Sequence, residues 1–348
     1  MSESPATQSI TEFQHTFHRI EAELGKAVIG HGDLIRNILV AFFAGGHVLI
    51  EGVPGTGKTL IVRSLADVLN LNFNRIQFTV DLMPADITGT RMVMDRDDGR
   101  RDFVFVEGPI FSHVLLADEI NRSTPKTQAA LLEAMAEQQV TVAGTTYRLA
   151  PPFFVLATLN PIEMEGTYPL PEAQLDRFFF KVRLTYPTHQ EVQRIISSTT
   201  TNATADLRPV FDHAEAAEKI LTLRQLVREV LVAPHIEEYI AALIHATIPA
   251  NAKYITADTT KTVLAKDEFV TRYVSFGSSP RGGQTLILGA KVLALLDGRA
   301  NISYDDVDRI AVPTLNHRLV LNFAAEAENI DPADIVARII QSARKLRR

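Results

Sequence analysis

Gly52-Val53-Pro54-Gly55-Thr56-Gly57-Lys58-Thr59 stands between two apolar runs, and its residue types suit one chemistry. Glycines let backbone N–H groups curl around phosphate oxygens, a lysine reaches the β- and γ-oxygens, and a threonine hydroxyl ligates magnesium. Gly52, Pro54, Gly55, Thr56, Gly57, Lys58, Thr59 and Leu60 are therefore candidate nucleotide contacts. A functionless Gly-rich turn would match the letters, but not the strand before it and the helix after it. Farther on, Val114-Leu-Leu-Ala117 ends in Asp118-Glu119. Alone, such a pair reads as a strand running into a helix cap. Downstream of a phosphate loop, the first acid suits a magnesium shell and the second an attacking water. Thr59 and Asp118 are the candidate metal positions and Glu119 the candidate catalytic base.

Three further polar residues stand at element ends. Asn160 closes Ala157-Thr-Leu-Asn160-Pro161, where strand carboxyl ends bind ligands in open α/β sheets, although Asn-Pro by itself simply starts a turn. Arg177 in Leu175-Asp-Arg-Phe178 and Arg281 in Ser279-Pro-Arg-Gly282 could each stabilise charge on a transferring phosphate. Without the other motifs each would be a solvent-facing arginine near a helix end.

The elements that must position these residues are legible from periodicity. Helices are predicted over residues 11–29 and 32–44. Short apolar strands alternating with helices follow at His47–Glu51, Asn74–Phe78, Val114–Asp118, Phe153–Leu159 and Phe178–Leu184, which predicts a mostly parallel, helix-covered sheet. Met92–Val106, with Asp97-Asp98-Gly99 at its tip, and Gln139–Leu149, with Ala143-Gly144 at its turn, read as hairpins. After Pro187 the pattern becomes helical: Gln190–Ser197, then 222–231, 234–247, 282–297, 303–312 and 333–346. The polar stretch Ser198–Asp206 carries no assigned role. A core over 1–187 and a helical domain over 188–348 are the expected division.

Composition narrows the function classes. The 348 residues are 46% hydrophobic and 22% charged, which excludes disordered and fibrous classes. No cysteine is present, so disulfides, thiolate zinc sites and cysteine nucleophiles are excluded. A net charge of −6 argues against nucleic-acid coating. The first ten residues lack a cationic and an apolar region, and no apolar run is long enough to span a bilayer. A cytoplasmic protein without membrane insertion is expected.

Taken together, these motifs resemble the AAA+ ATPases, and more closely the MoxR family. The resemblance covers roughly residues 20–310 and is carried by Asn121-Arg122, Pro125-Lys-Thr-Gln-Ala-Ala-Leu-Leu-Glu-Ala-Met135 and above all Asn160-Pro-Ile-Glu-Met-Glu-Gly-Thr-Tyr-Pro-Leu-Pro-Glu-Ala-Gln-Leu-Asp-Arg-Phe178. It implies an α/β fold: an AAA+ P-loop core with a parallel five-stranded sheet and β-hairpin insertions, followed by a smaller all-helical lid. It implies ATP and Mg2+ as cofactors, with Lys58 and Thr59 in Walker A and Asp118 and Glu119 in Walker B. Asn160 takes the sensor 1 place, Arg177 that of an arginine finger offered to a neighbouring subunit, and Arg281 that of sensor 2. Ile29 and His31 fall near the adenine; the family usually has glutamine at the second, and imidazole can still stack or donate. Both hairpins would face a central pore or a partner.

A magnesium-dependent ATPase is the function so implied. It would work as a homo-oligomeric ring, a hexamer, that remodels a client protein, with a von Willebrand A domain protein as candidate partner. Three alternatives stay open at this point. A nucleic-acid motor has Arg96, Arg100 and Arg101 as its best support, which a solvated hairpin tip explains more simply. A metal-chelatase subunit would use the same ring, and nothing selects it. A non-hydrolysing nucleotide switch would be expected to lack Glu119.

Overall fold

Val48, Leu49 and Ile50 are fully buried, as are Val114–Ala117 and Phe154–Ala157. Near-continuous apolar strands of this kind belong to a parallel sheet covered on both faces. The computed structural model describes residues 5–53, 55–95, 101–160, 167–200, 205–252, 264 and 267–347. Two units make up the chain: residues 18–171 with 182–222, and residues 1–17 with 172–181 and 223–348.

In the first unit, β1 (Val48–Gly52), β2 (Phe73–Gln77), β5 (Val114–Asp118), β8 (Phe154–Leu159) and β9 (Phe180–Leu184) form one sheet in the order β2-β5-β8-β1-β9. The β2–β5, β5–β8 and β8–β1 registers are parallel. The expected five strands are therefore present, each within two residues of its expected start. Two hairpins leave this framework: β3 (Gly89–Asp95) with β4 (Arg101–Glu107), and β6 (Gln139–Val142) with β7 (Thr145–Arg148). Ala143 and Gly144 have φ of 49° and 79°, the paired positive values of a tight turn matched to strand twist. The first tip, with Arg96, Asp97, Asp98, Gly99 and Arg100, lies outside the described residues. Phe105 and Tyr147 stack with ring centroids 3.9 Å apart, so an aromatic pair joins the two hairpins.

The second unit is largely helical. Pro280–Leu296 packs on Tyr304–Leu315, which packs on Pro332–Ala343, through Leu286, Ala290, Leu293, Val307, Ile310, Ile335 and Ile339. It is not all-helical, and that expectation is corrected: β10 (Val274–Phe276) pairs antiparallel with β11 (Val320–Leu321). Strands of three and two residues are too short to show a repeated alternation, and their partner is distant in sequence, so helical spacing on either side conceals them. The helix expected at 222 starts at Ala216 and runs to Glu229, because Ala216 and Ile220 are also buried. Among the described residues no helix is long and apolar enough to cross a membrane.

Candidate functional site

The phosphate loop leaves β1 at Gly52 and enters the helix Lys58–Leu69. Gly55 and Gly57 have φ of 80° and 83°, and a Cβ on either would meet nothing. Glycine is needed there for backbone angle, not for space. Gly52 is the reverse case: a Cβ would come 2.7 Å from the Leu184 Cβ. Pro54 lies outside the described residues. The Thr56 hydroxyl donates to the Val53 carbonyl at 2.8 Å, bracing the turn. Thr59 is half-buried and Leu60 exposed.

Lys58 is buried and folds back to donate from Nζ to the Gly52 carbonyl at 2.5 Å. Burial lowers its pKa, while the charges of Asp118 and Glu119 act the other way. The ammonium therefore sits within the electrostatic reach of both carboxylates. It has one loop carbonyl to exchange for a phosphate oxygen.

Asp118 ends β5 and Glu119 turns out of it with a φ of 56°. A non-glycine residue in that region costs about 1–3 kcal/mol and recurs at functional sites. Thr158 on the neighbouring strand β8 explains how the turn is held. Its hydroxyl donates to Asp118 Oδ1 at 2.6 Å and accepts from the Glu119 backbone N–H at 2.8 Å. On the other side, Arg75 of β2 donates to Asp118 Oδ2 at 2.7 Å. The same Arg75 nitrogen donates to Gln77 Oε1 at 2.6 Å, and Gln77 Nε2 donates to Glu119 Oε2 at 2.9 Å. Arg122 donates to the same Glu119 oxygen at 2.9 Å. The β2–β5 register sets Gln77 beside Asp118 and brings these groups together.

Asn160 is buried just past β8, the strand lying between β5 and β1 in the sheet. The motif residues Pro161–Gly166 lie outside the described residues. Ile29 and His31 are half-buried. His31 heads the helix Gly32–Ala44 with a φ of 58°, and a Cβ on Gly30 would come 2.5 Å from Glu191 Oε1. Glu191 has a lowered pKa, chiefly from Thr188 hydrogen bonds and to a lesser degree from the charges of His31 and Arg194.

Arg177 and Arg281 belong to the second unit. Arg177 is exposed directly before the buried Phe178, Phe179 and Phe180. Arg281 is the second residue of its helix, its side chain 57% exposed and 3.7 Å from Asp176 Oδ2.

Sequence reasoning missed Thr158, Arg75, Gln77 and Arg122 as partners of the two acids. The signal available was faint: Thr158 is the polar residue in an otherwise apolar strand, and Arg75 and Gln77 alternate with buried Ile76.

The oxygen donors fit magnesium. A carboxylate from Asp118 and a hydroxyl from Thr59 are hard ligands, and Mg2+ uses one or two protein groups together with phosphate oxygens. Asp118 already accepts from a guanidinium and a hydroxyl, and such outer partners orient a carboxylate that ligates a metal.

Comparison with known proteins agrees with this geometry. Residues 47–180 match the model of the ATPase family associated with various cellular activities (AAA), and residues 267–339 match an AAA lid domain. A crystal structure from Cytophaga hutchinsonii, described as that of a candidate ATPase, superposes with a TM-score of 0.84 at 37% identity, covering 96% of each chain. Chaperone MoxR1 of Mycobacterium tuberculosis is 38% identical over 94% of this chain and 82% of its own. Protein MoxR of Methylorubrum extorquens is 32% identical over 91% of both, and YeaC of Bacillus subtilis 41% identical over 96% and 97%. Fold and loop thus define a P-loop protein of the AAA class with its lid. Within that class, the chain belongs to the MoxR family.

Proposed function

We propose that this chain is a magnesium-dependent ATPase that works as a cytoplasmic homo-oligomeric ring, a hexamer, and remodels or activates a client protein. The observation that carries the proposal is the charge order around the loop: a buried lysine, bonded to the Gly52 carbonyl, whose charge feels both Asp118 and Glu119, with the two acids held in one hydrogen-bonded network. Lys58 binds the β- and γ-oxygens, the loop amides hold the remaining phosphate charge, and Thr59 and Asp118 would hold the metal. Magnesium, when bound, neutralises charge on the phosphates and orients them for in-line attack. Glu119 accepts the proton of the attacking water, and Asn160 orients that water from the adjacent strand end. Gly52, Pro54, Gly55, Thr56, Gly57 and Leu60 line the phosphates, and Ile29 and His31 the base.

Arg177 would complete the pocket of a neighbouring subunit, with Arg281 as a second cation. All of these groups except Arg281 fall in residues 1–187, which we retain as the nucleotide-binding core, with 188–348 as linker helix and lid. One relative is named a chaperone, which favours a protein client; a von Willebrand A domain protein stays the candidate partner.

The test compares ATP hydrolysis and nucleotide binding in two variants. Lys58→Ala should lose affinity for nucleotide, whereas Glu119→Gln should bind ATP and retain it unhydrolysed. Turnover at the parental rate by Glu119→Gln would remove Glu119 as base.

A further inference from the structure

Three consecutive residues of one short turn, Asn316, His317 and Arg318, all clasp the chain around Arg177. Asn316 Nδ2 donates to the Lys181 carbonyl at 3.1 Å, and His317 Nε2 lies 3.1 Å from the Phe178 carbonyl. Arg318 makes most of the remaining contacts. Its Nε donates to Asp176 Oδ1 at 2.9 Å, one nitrogen donates to the Phe178 carbonyl at 2.7 Å, and another reaches the Phe179 carbonyl at 3.3 Å. It also donates to the Thr314 carbonyl, and to Thr285 Oγ1 at 3.2 Å.

The Arg318 side chain is only 2% exposed. Burying a guanidinium costs several kcal/mol, and an apolar residue of similar volume is often no less stable. Stability alone is therefore a poor reason for an arginine here. What a planar five-donor fork adds is direction. Its donors fix both the side chain of Asp176 and the carbonyls of Phe178 and Phe179, the residues flanking Arg177. The other carboxylate oxygen of Asp176 accepts from Ser279 Oγ at 3.0 Å, at the first turn of the helix that carries Arg281. Both exposed arginines thus start from one hydrogen-bonded piece of the second unit.

We propose that Arg318, acting through Asp176, is a positioning residue that aims Arg177. The inference rests on the finger role assigned to Arg177 above. Arg318 touches no nucleotide itself; it removes the freedom of the backbone from which the finger projects. An arginine supplied in trans is worth about 10³–10⁵ in rate, and a loosely aimed one forfeits part of that.

The test separates a subunit's pocket from the finger it offers. Arg318→Lys, Asp176→Asn and Arg177→Ala are each assayed for binding of a non-hydrolysable ATP analogue, for thermal unfolding, and for ATP hydrolysis alone and mixed with Glu119→Gln. The last supplies intact fingers and no working base. Arg318→Lys and Asp176→Asn should bind the analogue like the parent, hydrolyse ATP at least tenfold more slowly, and recover when mixed. Placed in the Glu119→Gln chain, either substitution should abolish its power to rescue Arg177→Ala. Parental turnover in both clasp variants, or loss of fold or nucleotide binding in both, would overturn the proposal in favour of a purely structural clasp. Failure of Glu119→Gln to rescue Arg177→Ala would instead overturn the finger assignment, and the clasp's role with it.

Discussion

Thr158 is the side chain on which both acids of the site depend, because one hydroxyl serves Asp118 and the Glu119 amide together. Thr158→Val keeps the shape and removes both bonds, leaving a buried amide and carboxylate oxygen short of partners. Stability should fall by about 1–3 kcal/mol. Hydrolysis in single-turnover assays should fall further than ATP affinity, because the proposed base Glu119 moves while the loop does not. Arg75 makes a different prediction. Its guanidinium occupies Asp118 Oδ2; under the proposed metal role of Asp118 the two cations compete for that carboxylate, so Arg75→Gln should lower the magnesium concentration for half-maximal hydrolysis severalfold. A higher requirement would mean that Arg75 instead helps to hold the metal.

The loop and its flanking strands make their own test, since glycine is required for two separate reasons. Gly52→Ala forces a Cβ against the Leu184 Cβ at 2.7 Å, so β1 and β9 must separate, at about 1–3 kcal/mol. Leu184→Ala should give no relief, because the opposed atom is retained; Leu184→Gly should. Gly57→Ala meets no atom and costs only the left-handed backbone penalty, about 1–2 kcal/mol. Denaturant midpoints of the four variants separate the two causes. A Gly52→Ala defect relieved by Leu184→Ala would refute the steric account.

Acid sensitivity should differ from that of an average protein because the second unit buries His317 and the first half-buries His113. Burial lowers the pKa of His317 well below the ordinary 6.5, with Arg318's charge adding to it, and burial likewise lowers that of His113. Below pH 6.5 the unfolded chain binds a proton that the folded chain refuses. Stability is therefore full above that value and falls as the pH drops through it, at up to about 1.4 kcal/mol per pH unit for each such group. His317→Gln should flatten the lower part of a stability–pH curve measured from 7.5 to 5. An unchanged slope in that variant would show that His317 stays protonated inside the clasp.

How much of this was legible beforehand follows from which contacts are local. Gly52–Thr59 and Val114–Glu119 each carry their meaning within one strand and its turn, so residue order alone was enough to find them. The five strands and both hairpins were equally legible, because burial on both faces of a sheet leaves an apolar run and a hairpin leaves a turn signal. Thr158, Arg75 and Gln77 were not, because their significance depends on β8 and β2 flanking β5, and strand order is a tertiary fact. The β10–β11 pair was hidden for the same reason. Arg318 is the extreme case: 142 residues separate it from Asp176, and only the packing of one helix end against another makes it a partner. Sequence alone thus determined the chemistry available, since residue type and near-neighbour spacing create a phosphate loop and an acid pair. Tertiary structure alone decided what holds each group in place, because a buried charge takes its partners from whatever element folding brings within hydrogen-bond reach.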